Sequence, residues 1–356
     1  MTPRPGFALG DALVPAGTRR TVDLPVSVLS DHTPVTMSAH VIHGRRPGPG
    51  VFVTAGIHGD EVIGVEIVRR LLSLPALAAL AGTLIAIPIV NAFGFLNLSR
   101  YLPDRRDLNR CFPGSAGGSM AGRLADLLTR EVVARADLGI DLHSAAVHRT
   151  NLPQIRVAPG DDEVLRLAAV FAAPVVLPSA LRDGSLRQTA REMGVDMLLY
   201  EAGKGLRFDE TAVRAGVAGI LRGLHDRGMI GGRGVPRARR APLVCRSSRW
   251  LRAPQGGCRA LTARKATSST GAMCRASSRP PSARSRPRSA PASMASSWAA
   301  RCCRWSTRAM PSFIWPRSPP RCARAIGSGP GMRGWRPSGC STRTRSSSPP
   351  PRPGGR

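Results

Sequence analysis

Three residues in the first half of the chain have the types and spacing of a metal site: His58, Glu61 and His143. His58 and Glu61 stand three apart in the segment GIHGDE, where a predicted strand gives way to a predicted helix, so that a turn can aim both side chains at one point. His143 ends another predicted strand. Two imidazoles and a carboxylate, with a fourth position left for water, form a catalytic zinc set. The spacing alone also allows a chance His–Glu pair and a histidine buried in the core.

Neighbouring residues refine this interpretation. Asp60 and Asp141 are candidates for orienting the ligands through hydrogen bonds. A structural zinc ion would more often recruit cysteines, and residues 1–226 contain only Cys111, which we interpret as a packing residue rather than a nucleophile.

The segments that must position these residues alternate between predicted strands and predicted helices. Strands are predicted at 20–29, 34–43, 51–55, 83–90, 137–143, 154–158, 173–179 and 195–200, and helices at 61–80, 118–136, 163–172 and 211–228. Such alternation predicts the α/β class, with a mixed, largely parallel sheet covered by helices on both faces. Sites in these sheets lie where strands end, and the candidate ligands are placed there.

The chain resembles the succinylglutamate desuccinylase/aspartoacylase family in four motifs that occur in order over roughly residues 45–230. The motifs are GIHGDEVIGVEIVRRL, NAFGFLNLSRYLPDRRDLNRCFPG, DLGIDLHSAAVHRTNLPQIR and LLYEAG. This family belongs to the zinc carboxypeptidase clan. The resemblance implies a fold of that kind and one zinc ion per chain, bound by His58, Glu61 and His143.

The resemblance implies roles for further residues. Glu201 in LLYEAG matches the family's general acid/base glutamate, and Arg100 matches the arginine that stabilises the developing oxyanion. Asn109 and Arg110 in DLNR match a pair that binds a substrate carboxylate, and Arg187 in SLRQTA resembles a further arginine of that kind. A planar guanidinium can hold a carboxylate through two parallel hydrogen bonds.

The composition divides the chain into two unlike parts. The formal net charge is +30, yet all 22 acidic residues lie in 1–226, together with 24 of the 52 basic residues. Residues 227–356 hold the other 28 basic residues and seven of the eight cysteines. No apolar run has the ~18–20 residues of a membrane span. No secretory signal is recognised either, so a cytoplasmic protein without a membrane partner is expected.

The basic region 258–356 allows three interpretations. It is a disordered tail, a nucleic-acid-binding arm, or the product of a shifted reading frame in GC-rich DNA. Starting each codon of 294–316 one nucleotide earlier permits DGIVVGRTLLPVVNEGDALFHLA, with acidic residues, turn glycines and apolar alternation. This string resembles the family's C-terminal β domain, so we favour the frameshift.

We therefore predict three regions and one principal function. Residues 1–230 form a zinc-dependent deacylase domain, 231–257 begin a C-terminal β domain, and 258–356 are an aberrant, irregular tail. The expected reaction is hydrolysis of the amide bond of a small, anionic N-acyl amino acid. The alternatives are a metallocarboxypeptidase acting on short peptides, nucleic-acid binding through the tail, and an inactive product. No specific nucleic acid is expected as a partner, and the oligomeric state is left open.

Overall fold

The structure is a computed structural model that describes residues 4–246. The predicted aberrant tail 258–356 lies outside the described residues, as do residues 247–257. In chain order, the strands and α-helices are β1 (Phe7–Leu9), β2 (Ala12–Val14), β3 (Thr18–Val28), β4 (Pro34–His43), β5 (Arg46–Ala55), α1 (Ile63–Leu72), β6 (Ala81–Ile87), α2 (Ala92–Leu96), α3 (Met120–Glu131), β7 (Leu138–Ala145), β8 (Asn151–Val157), α4 (Asp162–Phe171), β9 (Val175–Pro178), α5 (Leu186–Glu192), β10 (Asp196–Lys204), α6 (Glu210–Asp226) and β11 (Leu243–Val244).

Nine of these strands form one sheet in the order β11-β9-β8-β10-β7-β5-β6-β4-β3, and β1 pairs with β2 in a separate hairpin. The pairs β3–β4, β4–β6 and β8–β10 are antiparallel, and the other five neighbouring pairs are parallel. The predicted mixed, largely parallel sheet is therefore confirmed.

Helices cover both faces of the sheet. Successive residues of a strand point to opposite faces, so they pack against different helices. Val51 and Val53 of β5 pack in one core cluster with Ile67 of α1 and with residues of α4 and α6. Phe52 packs in the other cluster, with residues of α3 and α5. Gly139 of β7 makes room for the Phe52 ring, since a Cβ at this position would overlap it. The candidate site lies on this second face.

Two predicted helices differ from the structure in length. The helix predicted at 61–80 ends at Leu72 and is followed by a short 3₁₀ turn, Pro75–Ala79, because proline cannot continue an α-helical hydrogen-bond pattern. The helix predicted at 118–136 ends at Glu131, and its predicted cap is present: the Ser119 side chain accepts a hydrogen bond from the Gly122 amide. Among the described residues, no helix has the length and apolar character needed to cross a bilayer.

The strands β5, β7 and β10 lie side by side and run parallel, so their carboxyl ends meet at one edge of the sheet. In this arrangement, His143 of β7 is the register partner of Glu201 of β10. The turn that follows β5 carries His58 and Glu61 to the same edge. The sheet topology therefore brings together residues that are up to 143 positions apart in the chain.

Candidate metal centre and cavity

A tight turn between β5 and α1 carries His58 and Glu61. The amide of Gly59 donates a hydrogen bond to the Ser99 carbonyl at 2.9 Å, which ties this turn to the loop after α2. A Cβ at Gly59 would overlap the backbone of Gly94, so only glycine fits this close approach. The turn is thus held rigidly beside the loop that carries Arg100.

The three candidate ligands converge on one point. His58 Nδ1 lies 2.8 Å from Glu61 Oε1, and His143 Nδ1 lies 2.8 Å from Glu61 Oε2. One ligand atom from each residue falls within 4.8 Å of the other two, and all three residues are buried. The Ser144 amide also donates to Glu61 Oε2 at 3.0 Å, which fixes the carboxylate further. Such a group could hold a metal ion.

An aspartate contacts the outward nitrogen of each imidazole, which is Nε2, the ring nitrogen that faces away from Glu61. His143 Nε2 lies 2.7 Å from Asp141 Oδ2, and the other oxygen of Asp141 accepts a hydrogen bond from Thr54 Oγ1 at 2.9 Å. His58 Nε2 lies 3.0 Å from Asp107 Oδ1. Asp141 thus contacts His143, as expected of a residue that orients a ligand. For His58 the contact comes from Asp107 rather than from Asp60.

The electrostatics of this group favour a cation. Burial acts to lower the pKa of His143, but Asp141 and Glu61 outweigh it and raise the pKa well above its ordinary value. Burial acts to raise the pKa of Glu61, but His143 and His58 outweigh it, so the pKa of this carboxyl is well below its ordinary value. Carboxylates thus surround both imidazoles, and two nitrogens and a carboxylate are a donor set that suits zinc. The residues present fit a bound zinc ion.

Arg100 lies beside the three ligands and is anchored by Asp107. Its Nε and Nη2 donate to Asp107 Oδ2 at 3.2 and 2.9 Å. Its Nη1 lies 3.4 Å from Glu61 Oε1 and 3.3 Å from His58 Nδ1. Asp107 therefore contacts both a candidate ligand and the candidate oxyanion-stabilising arginine.

Glu201 of β10 lines the same cavity as the three candidate ligands and Arg100. Asn151 Nδ2 donates to its Oε2 at 2.5 Å, and Arg156 Nη1 lies 3.3 Å from its Oε1. Burial raises the pKa of Glu201, although Arg156, His143 and His58 oppose this effect. The carboxyl side chain is only 14% exposed. A buried carboxyl whose pKa is raised in this way is a candidate for general acid and base catalysis.

The predicted substrate-binding residues Asn109, Arg110 and Arg187 differ in their hydrogen-bond partners. The Asn109 side-chain oxygen accepts from the Leu186 amide at 3.0 Å, and Arg110 Nη1 donates to the Asn109 carbonyl. Arg187 is buried, and its Nη2 donates to the carbonyls of Ser179 and Ala180 at 3.0 and 2.8 Å. Burial lowers the pKa of Arg187 to about 10, and two nearby arginines add to this effect. Its Nη1 has no hydrogen-bond partner among the described residues.

A single cavity of about 470 Å³ joins these groups. It is lined by all eight of the predicted metal ligands, catalytic residues and substrate-binding residues, namely His58, Glu61, Arg100, Asn109, Arg110, His143, Arg187 and Glu201. Three further arginines and one asparagine that were not singled out from the sequence also line it, namely Arg149, Asn151, Arg156 and Arg182. Two of these, Asn151 and Arg156, are the first and last residues of NLPQIR in a quoted motif, but the sequence carries no signal that they meet Glu201.

A model of the succinylglutamate desuccinylase/aspartoacylase catalytic domain matches residues 47–226, which is half of the chain. Among curated proteins, the N-alpha-acetyl-L-2,4-diaminobutyric acid deacetylase of Halomonas elongata is 28% identical over 196 residues. This match covers 54% of the present chain and 52% of that protein, so the chain spans about half the length of this curated relative.

Solved structures show the same similarity. The succinylglutamate desuccinylase/aspartoacylase from Rhodobacter sphaeroides is 28% identical, with a TM-score of 0.55 over 60% of this chain and 67% of that one. An aspartoacylase family protein from Mesorhizobium loti is 26% identical, with a TM-score of 0.56 over 68% and 74% of the two chains. Sequence and fold thus point to one family.

Proposed function

The chain belongs to the succinylglutamate desuccinylase/aspartoacylase family, and from this premise we propose that it is a zinc-dependent deacylase that hydrolyses the amide bond of a small N-acyl amino acid. The observation that carries the proposal is the convergence of His58 Nδ1, Glu61 and His143 Nδ1 in a cavity that also contains Glu201 and Arg100. One zinc ion per chain would be held there.

A zinc ion at such a site lowers the pKa of water and polarises a carbonyl group. The chain's own contribution begins with orientation. His58 and His143 turn their inward nitrogens toward Glu61, while Asp107 and Asp141 accept hydrogen bonds from the outward nitrogens. Such outer contacts fix the ring orientation and make the imidazoles better ligands.

Glu201 is proposed to transfer the proton. Its carboxylate takes a proton from the attacking water and passes it to the nitrogen of the leaving amine. The burial that raises its pKa supports this role, because a general acid and base works best when its pKa approaches the working pH.

Arg100 is proposed to stabilise the negative charge that develops on the amide oxygen. Asp107 accepts hydrogen bonds from two of its nitrogens, and the third nitrogen, Nη1, faces the inward atoms of His58 and Glu61. A donor that is already fixed before the reaction stabilises a developing oxyanion without the cost of reorganisation.

The charge of the cavity supports an anionic substrate. Six arginines line the cavity, and one of them, Arg156, is paired with the proposed base Glu201. The other lining carboxylates are the candidate ligand Glu61 and Asp141, which contacts His143. Asn109, Arg110 and Arg187 remain the proposed contacts for a substrate carboxylate. The unpartnered Nη1 of the buried Arg187 supports this, because a buried donor requires an acceptor.

A substrate panel tests the proposal with the full chain. The panel contains N-acetyl-L-aspartate, N-succinyl-L-glutamate, N-alpha-acetyl-L-2,4-diaminobutyrate and short peptides with a free carboxyl terminus. We expect turnover of an acidic N-acyl amino acid in the presence of zinc. Cleavage of the peptides alone would replace the proposal with a metallocarboxypeptidase.

The variant Glu201→Gln tests the role of the base within the same assay. It should lower kcat by roughly 100-fold or more while leaving bound zinc unchanged, since general acid–base catalysis contributes about 10²–10⁴-fold. Arg130→Ala, in an exposed ion pair with Asp126, is the matched surface control. Retained turnover in Glu201→Gln, or loss of its zinc, would refute the assignment.

A further inference from the structure

Two side chains of β8 converge on the carboxylate of Glu201. Asn151 donates to Oε2 at 2.5 Å, and Arg156 lies 3.3 Å from Oε1, so each carboxylate oxygen has its own partner. Neither side chain has another hydrogen bond or ion pair to a described residue. Among the described residues, the hydrogen bonds and ion pairs of Asn151 and Arg156 are thus with Glu201 alone.

An irregularity in the sheet makes this double contact possible. Arg156 pairs with Leu199 of β10, which places it on the same face as Glu201. Regular alternation would turn Asn151, five residues earlier, to the opposite face. The register between β8 and β10 shifts between Glu201 and Gly203, so that Asn151 pairs with Gly203, and its side chain reaches Glu201.

The position of Arg156 is electrostatically unfavourable without Glu201. Its Nε is buried and has no hydrogen-bond partner among the described residues. It also lies close enough to Arg187 to lower the pKa of that guanidinium. An unpaired charge in such surroundings is costly, and the carboxylate of Glu201 offsets the cost.

We infer that Asn151 and Arg156 are positioning residues that hold the Glu201 carboxylate in a single orientation for deacylation. The inference rests on the proposed function, because it assumes that Glu201 transfers the proton. A carboxylate held at both oxygens keeps its remaining lone pairs directed into the cavity. Geometry of this kind matters, since a misplacement of about 1 Å can cost roughly 100-fold in rate.

Kinetics of three variants of the full chain test the inference. Asn151→Ala and Arg156→Ala should each lower kcat by about 10- to 100-fold and leave KM and bound zinc within twofold. Arg156→Lys should recover part of the lost kcat, because an ammonium group can still form an ion pair with Oε1. The probe is the panel member that the unaltered chain turns over fastest, and Arg130→Ala is the control. A raised KM with unchanged kcat would overturn the inference in favour of direct substrate contacts.

Binding to the inactive Glu201→Gln variant separates positioning from substrate contact. N-acetyl-L-aspartate binding is measured by calorimetry for Glu201→Gln and for the double variants that add Arg156→Ala or Asn151→Ala. Equal affinity, within about twofold, is expected. A tenfold weaker affinity in either double variant would contradict a positioning role.

Crystal structures provide a readout that does not require turnover. In Asn151→Ala and Arg156→Ala, the Glu201 carboxylate should rotate away from its present orientation or occupy more than one. An unchanged single orientation in both variants would overturn the inference. If Glu201→Gln retains turnover, the proposed function itself fails. If Glu201→Gln is inactive while both β8 variants keep full kcat, only the positioning inference fails.

Discussion

His58 and His143 are oriented in the same way: each turns Nδ1 toward Glu61 and Nε2 toward an aspartate. The two aspartates differ in what else they hold. Asp141 accepts from Thr54 within the sheet, whereas Asp107 lies in a loop and also accepts from Arg100. Asp107 thus connects the candidate metal centre to the candidate oxyanion contact, and Asp141 does not.

This difference predicts unequal effects of two matched substitutions. Asp141→Asn and Asp107→Asn should each weaken zinc affinity by about 10- to 100-fold, as measured by competition with a chromophoric chelator. At saturating zinc, Asp107→Asn should also lower kcat further than Asp141→Asn, because Arg100 loses its anchor. Asp126→Asn serves as the surface control. Unaltered zinc affinity in both variants would contradict the proposed orienting role.

Sequence reasoning could find the candidate ligands but not every partner in the cavity. His58, Glu61 and His143 end predicted strands or follow them, and parallel strands bring such ends together. Asn151 was not predicted, since regular strand alternation turns it away from Arg156 and Glu201. The register shift between β8 and β10 places Asn151 on the same face as Glu201. That shift depends on the pairing of the two strands rather than on local sequence.

At the scale of elements, α1 and α6 are joined by a chain of charged groups. Glu66 of α1 contacts Arg69 and Arg70, and Arg70 donates to Glu210 in the first turn of α6. Arg69 holds the pKa of Glu66 at about 2, with a further contribution from Arg70 and against an opposing effect of burial. The arginines therefore stabilise the ionised form of Glu66 in the folded state.

The depressed pKa predicts a pH-dependent contribution to stability. A carboxyl whose folded pKa of about 2 lies below its unfolded value of about 4.3 stabilises fully above pH 5, and this stabilisation is lost as the pH falls toward 2. Glu66→Gln should lower the free energy of unfolding at pH 7 by about 0.5–1 kcal/mol. Urea unfolding should show this difference shrinking between pH 5 and 3.

The control for this measurement is Glu192→Gln, whose side chain contacts Gln188. The difference for Glu66→Gln is compared with that for Glu192→Gln over the same pH range. A difference for Glu66→Gln that does not depend on pH would contradict the account.

The elements themselves were predictable where their pattern was long and regular. The predicted pair 20–29 and 34–43 corresponds to the antiparallel strands β3 and β4, and all four predicted helices have counterparts. The helices α2 and α5 were not predicted, because five and seven residues are too few to show a helical period. The antiparallel pairing of β8 with β10 could not be predicted from a local sequence pattern either, because it depends on the order of the strands in the sheet.

For the whole molecule, the division of charge coincides with the end of the family match. All 22 acidic residues lie within 1–226, and the family match ends at residue 226. We propose that residues 1–230 form the catalytic domain. The described part of 231–257 contains β11, which pairs with β9 of the same sheet. The predicted start of a β domain otherwise lies outside the described residues.

The frameshift interpretation of 258–356 predicts a specific result at the DNA level. Resequencing of the coding DNA around codon 258 should reveal an inserted or missing nucleotide whose correction restores acidic residues and apolar alternation. An intact frame would refute this interpretation. The nucleic-acid-binding alternative would then be tested by salt-dependent affinity and its loss in a variant that ends at Gly257.

The most direct test of the central claim is the elemental metal content of the purified, dialysed full chain beside His143→Ala, with Arg130→Ala as the control. His143 supplies a candidate ligand atom and is buried, whereas Arg130 is exposed on α3. We expect about one zinc ion per chain in the unaltered protein and in Arg130→Ala, and none in His143→Ala. Absence of zinc from the folded, unaltered chain, or zinc retained in His143→Ala, would contradict the central claim.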